Sequence, residues 1–348
     1  MMNYEGSSVN HPELSRDAIK TGRNEVLSAA WLAARAFFVF AVLWICFYAL
    51  FRGFPYLSSG AEVIYRSKIN QEAYGTVFPE SSKGRRVLIF GDSKVLAGFV
   101  PSYFDRLSAV DGLNYYSYNS GYPARGFFVP QLEQMTKKKS GVPSILLLTL
   151  PWESKHGDLN VFHLLPDDHE IADRLFPFRF LVRDSFSFLI TSKEHGGPRQ
   201  YYIESQSNDA RMLEDRGYYF ISEQSHYPHN SLPDDFHLGS DQPFAVVTRT
   251  ADASSSELDK LNGLVKANNI DCYYVPTYAR QGELAPAPGI DLQFADLLRS
   301  HSSCKLLGPD YYLFPNRMFS DSVHLNEEGA KAYTGAVYLL LAKEMLVH

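Results

Sequence analysis

The sequence predicts an α/β protein, a parallel sheet covered by helices on both faces, preceded by a single N-terminal transmembrane helix. Three observations predict it. Short apolar runs alternate with helical stretches from Arg85 onward, one long apolar segment lies ahead of them, and a polar stretch from about 155 to 245 breaks the rhythm once. Strands that alternate with helices form parallel sheets, because each crossover helix must pack back on the sheet.

Residues 1–26 are polar and are expected to form a loose cytoplasmic tail. From Leu27 to Phe51 the chain reads LSAAWLAARAFFVFAVLWICFYALF, with Arg35 its only charge. At about 1.5 Å per residue, a helix of this length crosses a hydrocarbon core of roughly 30 Å. An arginine at the centre of such a helix costs about 2.5–3.5 kcal/mol. Arg35 lies toward one end, where its side chain can reach the headgroups. Trp31, Tyr48 and Tyr56 suit the two interfaces, and no A-x-A cleavage site follows, so 27–54 reads as an uncleaved anchor. A buried core helix is the competing reading. Arg16, Lys20, Arg23 and Arg35 precede the apolar core while Arg52, Arg66 and Lys68 follow it, so the positive-inside rule favours a cytoplasmic N-terminus by a narrow margin.

Residues 55–84 read as a stalk that turns helical around Ala61–Ala73. Strands are expected at Arg86–Phe90, Asn114–Tyr118, Ser144–Leu150 and Cys272–Val275, with Lys305–Leu307 a fifth, because each run is short, bounded and rich in β-formers. Helices fit at Pro101–Ser108, Phe127–Lys138 and Ser256–Asn268, the last striped by Leu258, Leu261, Leu264 and Val265. A terminal helix runs from about Glu327 to Leu346, with Asn326 as N-cap and two acids in its first turn. The domain is therefore 85–348, with an insertion at about 155–245 in which Phe176–Ile190 is the one clear helix. Phe178, Leu181, Val182, Phe186 and Leu189 share a face of that helix, expected to pack on the sheet rather than touch a membrane surface. Unstructured insertions of this size are usually lids or substrate walls.

A net charge of −6 excludes a nucleic-acid binder, since the one basic run is Lys137-Lys138-Lys139. Of three cysteines, Cys46 lies in the apolar segment. Cys272 and Cys304 belong to no C-x-x-C pair, and a disulfide between them is open to a domain in an oxidising compartment. His226, His229 and His237 lie in a Pro- and Asp-rich loop without a firm ligand spacing, so neither a metal nor a cofactor is expected. The 22 tyrosines could stack on sugar rings, but packing explains most of them more simply.

The chemistry gathers at two places. The first strand runs into Gly91-Asp92-Ser93-Lys94, and ligands of parallel sheets collect at the carboxyl ends of strands. A serine hydroxyl attacks once a base takes its proton, and its own N–H can hold the resulting oxyanion. Alone, Gly-Asp-Ser reads equally well as a helix N-cap. Near the C-terminus stands Asp321-Ser322-Val323-His324, just before the last helix. An Asp that accepts from one imidazole nitrogen leaves the other free to take the serine proton. Asp-x-x-His alone is also common, as a capping Asp beside a surface His. The conjunction of the two blocks carries the signal.

With these blocks the chain resembles the SGNH, or GDSL, hydrolase superfamily over roughly 85–345, the insertion excepted. The resemblance implies a flavodoxin-like three-layer α/β/α fold with a central parallel sheet, and ester or acyl-transfer chemistry by Ser93, Asp321 and His324. It also implies an oxyanion hole from the N–H groups of Ser93 and Gly121, the latter in Asn119-Ser120-Gly121 after the second strand. In that fold the strands begun by Cys272 and Cys304 are neighbours, which implies that the two pair. The third family block, G-x-N-D, is replaced by Leu150-Pro151-Trp152-Glu153-Ser154, so its Asn donor is absent. The stretches GDSKVLAGFVPSYFD and RMLEDRGYYF resemble the membrane-anchored branch that modifies polysaccharides. That branch implies O-acyl, foremost acetyl, transfer to a bacterial cell-surface or secreted polysaccharide, with an acyl donor supplied through a membrane-bound O-acyltransferase partner. It further implies an inner-membrane protein whose catalytic domain faces the periplasm. The alternatives are a carbohydrate O-acetyl esterase and a non-catalytic scaffold of a polysaccharide-modification complex.

Overall fold

In a computed structural model, the residues described are 16–57, 65–82, 84–122, 128–149, 176, 178, 181–220, 225–237, 256–281 and 292–347. Five strands form one parallel sheet: β1 (Arg85–Gly91), β2 (Tyr115–Gly121), β3 (Ile145–Leu148), β4 (Asp271–Tyr274) and β6 (Cys304–Leu306). They lie in the order β2-β1-β3-β4-β6, all expected from their apolar runs. The order reverses between β1 and β3, and in such sheets the crevice at the carboxyl ends beside the reversal is where ligands bind. Two further strands, β5 (Thr277–Arg280) and β7 (Tyr311–Phe314), pair in parallel as a separate small sheet that sequence reasoning missed.

Alternation along each strand divides the core in two, as expected of a sheet buried on both faces. On one face Val87, Ile89, Ile145 and Leu147 pack against Phe104 of α4 (Pro101–Val110) and against Val337 and Leu341 of α10 (Glu327–Val347). On the other, Leu88, Phe90, Leu146 and Leu148 meet α5 (Phe128–Thr136), α8 (Ser256–Ala267) and α9 (Leu292–His301). Helices thus cover both faces. Cys272 and Cys304 are register partners on β4 and β6 and form a disulfide.

Ahead of the sheet, α1 (Arg16–Gly53) contains one stretch, Leu27–Gly53, long and apolar enough to cross a membrane. The expected stalk is not free chain where it is described. Helix α2 (Arg66–Ala73) buries Tyr65, Lys68, Ile69 and Glu72 against the domain, and Val77 and Phe78 enter the core. Among its described residues the insertion holds two α-helices where one was expected. They are α6 (Leu181–Thr191), which begins later than expected, and α7 (Pro198–Glu214). The face expected to pack on the sheet does not: Val182, Phe186 and Leu189 are exposed.

Candidate active site

Ser93 opens α3 (Ser93–Gly98) directly after β1. Asp92 is the N-cap, its carboxylate accepting the Lys94 N–H at 2.9 Å and satisfying one of the donors a helix start leaves unpaired. Gly91 is required here by space, because a Cβ would collide with the side chains of Val95 and Thr149. The candidate nucleophile therefore sits at the carboxyl end of the sheet, next to the β1/β3 reversal.

The second block is a tight turn closed by an antiparallel bridge between Phe319 and Leu325. Inside it the Ser320 N–H donates to the His324 carbonyl at 2.9 Å. Asp321 Oδ1 accepts the N–H groups of Val323 and His324, both at 2.7 Å, and Oδ2 accepts His324 Nδ1–H at 2.8 Å. Partial burial of Asp321 works to raise its pKa, but the hydrogen bonds from His324 outweigh it and hold the carboxyl below its ordinary value. The pair expected from Asp-x-x-His is thus formed, with the imidazole oriented through Nδ1. His324 Nε2 is buried and takes no hydrogen bond from any described residue. Accordingly, no hydrogen bond joins it to Ser93 Oγ. Asn326 caps α10 as expected, its Oδ1 accepting the Gly329 N–H at 3.0 Å.

Tyr278 on β5 links the two blocks. Its hydroxyl donates to the Lys94 carbonyl at 3.0 Å, and its own carbonyl accepts Lys94 Nζ at 2.9 Å. On its other side its ring meets that of Phe319 at 6.0 Å, edge to face. Arg280, two residues on and almost wholly buried, donates through Nε to the Ser322 carbonyl at 3.0 Å and through Nη1 to Asn316 Oδ1 at 3.2 Å. The small second sheet therefore holds both the turn carrying Asp321 and His324 and the helix carrying Ser93.

Gly121 is where the expected geometry and the observed one part. Its N–H is taken by Asn119 Oδ1 at 2.8 Å, so it is not an open oxyanion donor. A Cβ there would strike the backbone of Leu96, so this glycine lets β2 and α3 approach. The same Asn119 amide donates to the carbonyls of Val95 at 2.8 Å and Phe99 at 2.7 Å. The Gly121 carbonyl accepts Lys68 Nζ at 2.6 Å, and Lys68 also donates to the Gly217 carbonyl at 2.9 Å. Four residues on, Glu72 accepts from Ser120 Oγ at 2.6 Å, from Tyr122 OH at 2.5 Å and from Gln131 Nε2. Burial pushes the Lys68 ammonium down to about 7 against the pull of Glu72, and pushes the Glu72 carboxyl up. This network beneath the site escaped sequence reasoning. Residues 150–154, where the third block departs from its pattern, lie outside the described residues. The chain matches no protein-family model, no curated protein and no solved structure.

Proposed function

We propose that this chain is a serine-dependent O-acyltransferase of the SGNH type that acylates, foremost acetylates, a bacterial surface or secreted polysaccharide from outside the inner membrane. The observation that carries the reading is the Asp321–His324 pair. Its imidazole is oriented through Nδ1, and its buried Nε2 is left without a partner. A buried nitrogen without a partner is costly in a fold and is common where a reacting group completes the set.

In the reaction, His324 Nε2 takes the hydroxyl proton as Ser93 Oγ attacks the donor carbonyl carbon. The oxyanion forms against the Ser93 N–H at the helix start. Collapse breaks the bond to the leaving group, which departs with the proton from His324, and acyl-Ser93 remains. A sugar hydroxyl then gives its proton to His324 and attacks the acyl carbon; the acyl–Oγ bond breaks, and His324 returns the proton to Ser93 Oγ as the acylated sugar leaves. Catalytic hydrogen bonds often tighten only when substrate is bound, so the absent Ser93–His324 bond is compatible with this sequence of steps. The Cys272–Cys304 disulfide supports an oxidising compartment, and the apolar α1 supports an anchored domain; a donor handed over by a membrane-bound partner completes the proposal.

Fluorophosphonate labelling tests the reading. Ser93 should be modified, and Ser93→Ala and His324→Ala should each abolish the adduct; labelling unchanged by Ser93→Ala would refute it. Incubation with an activated acetyl ester and an oligosaccharide then separates transfer from plain hydrolysis, since an esterase releases free acid only. One observation favours a non-catalytic scaffold, namely that the Gly121 N–H is already committed to Asn119. Complementation of polysaccharide acylation by Ser93→Ala would select that second reading.

A further inference from the structure

We infer that helix α6 of the insertion is a lipid-facing element, which seats the α/β domain on the bilayer beside its own anchor. The inference rests on α1 crossing a membrane and is independent of the acyl-transfer reading.

The rings just before α6 lie against the apolar half of α1. Phe176 meets Phe40 at 6.3 Å, while Phe178 meets Trp44 at 6.0 Å and Phe47 at 5.7 Å. Counting back from Gly53 at about 1.5 Å per residue, Phe47, Trp44 and Phe40 lie roughly 9, 14 and 20 Å along the helix. Phe176 and Phe178 therefore reach well into the depth of any bilayer that α1 spans. Helix α6 starts three residues later.

The surface that α6 presents fits that depth. Val182, Phe186, Leu189 and Ile190 are 57%, 66%, 50% and 67% exposed. At about 100° per residue all four fall on one face roughly a quarter of a turn wide. The helix cannot roll to bury them, because Phe188 on the opposite face is already buried and packs on Tyr201 of α7, the rings tilted with centres 5.3 Å apart. Such an apolar face with polar flanks is the form of a helix lying in a membrane interface.

A second set of contacts places the insertion in the same sense. Just beyond α1, the Tyr56 hydroxyl donates to Asp209 of α7 at 3.0 Å and its ring meets Tyr202 at 5.5 Å. Ser67 of α2 binds the same Asp209 through its N–H at 3.2 Å and through its hydroxyl. The α6–α7 pair is thus fastened to the anchor both within its apolar length and immediately outside it. Continuity with the anchor is what assigns lipid, rather than a second protein, to the open face of α6.

The test uses the full chain carrying Cys46→Ala, in which Cys272 and Cys304 stay paired and only an introduced thiol takes a spin label. The protein is reconstituted in phosphatidylcholine–phosphatidylglycerol vesicles. Labels go to Phe186→Cys and Ile190→Cys, with Val182→Cys as a third site should either fail to fold. Leu43→Cys on α1 serves as the lipid reference and Gln206→Cys, exposed on α7, as the water reference. Collision with a water-soluble nickel chelate should fall on the order of tenfold at 186 and 190 relative to 206, because a charged chelate is excluded from hydrocarbon. Collision with oxygen should match that at 43. Nickel access equal to that at 206 would overturn the inference, as would exclusion of both reagents, which marks a protein surface as the occupant. Nickel access at 43 itself would remove the anchor and, with it, this inference, leaving the serine chemistry untouched.

Discussion

Replacing Lys68 by Met is expected to lower the stability of the domain by about 2–6 kcal/mol, at about 1–3 kcal/mol for each of two buried carbonyls left without its donor. Lys68 and Glu72 have no exposed surface. Without the lysine, the carbonyls of Gly121 and Gly217 lose their donor. Without the glutamate, as in Glu72→Leu, Ser120, Tyr122 and Gln131 lose their acceptor. Either single change should therefore cost a similar amount. Each single change already removes the attraction between the two groups, so the loss of the joint Lys68→Met/Glu72→Leu variant should fall short of the sum of the singles by on the order of 0.5–3 kcal/mol.

Urea unfolding of the full chain in detergent micelles, followed by far-ultraviolet circular dichroism, measures all three. Singles within about 1 kcal/mol of the parent, or an additive double variant, would refute the reasoning. The pH profile gives an independent arm. Burial holds the folded lysine at about 7 against an ordinary 10.5, so between those values the unfolded chain binds a proton that the native protein does not. Stability should then rise with pH from about 7 toward 9, by at most about 1.4 kcal/mol per pH unit, and Lys68→Met should flatten that rise.

Three further outcomes are expected. Asp321→Asn should slow fluorophosphonate labelling of Ser93 on the order of 10³–10⁴-fold, because the amide no longer fixes the imidazole tautomer; a stopped-flow rate within tenfold of the parent would contradict the assigned role. The depressed carboxyl of Asp321 stays ionised through neutral pH, so this contribution should be lost only as the pH falls through its lowered value. The Cys272–Cys304 bridge spans 32 residues, for which loop-closure entropy gives about 4 kcal/mol. Cys272→Ser/Cys304→Ser should therefore shift the urea midpoint down, and reductant should do the same to the parent but not to the variant. Arg280→Met should lower the labelling rate on the order of 10²-fold through displacement of the Ser322 carbonyl, with the circular dichroism spectrum kept; an unchanged rate would show that the turn holds itself.

What was legible in the sequence follows from where the signal is carried by side-chain type. Strands β1, β3 and β4 announce themselves by buried apolar or aromatic runs, while β2 rests on β-forming tyrosines and β6 on a three-residue run with an exposed lysine. Thr277–Arg280 escaped because Pro276 separates it from β4 by a breaker and its four residues include a buried arginine. Helix α7 escaped for a related reason. Its buried residues Tyr201, Ser205, Asp209 and Met212 keep helical spacing, yet two of the four are polar, so an apolar count passes over them. Lys68 and Glu72 stand one helical turn apart on what reads as an exposed ion pair, and only the fold shows that the stalk helix turns that face inward. The Asp321–His324 contact was legible because three-residue spacing before a helix is a local property. The commitment of Gly121 to Asn119 was not, since Asn119 is turned toward it by the α3 carbonyls that take the other end of its amide.

That orientation has a consequence for how the reactive hydroxyl keeps its position. A helix of six residues has too few internal bonds to stand by itself. Here the terminal carbonyls of α3 are gripped by a single amide borrowed from the adjacent strand, Asn119 reaching Val95 and Phe99 at once. The coordinates of Ser93 are accordingly dictated from its neighbour as much as from the strand that leads into it. A slip of β2 by one residue would turn that amide to the opposite face and release the short helix, even with every residue from Gly91 to Phe99 unchanged.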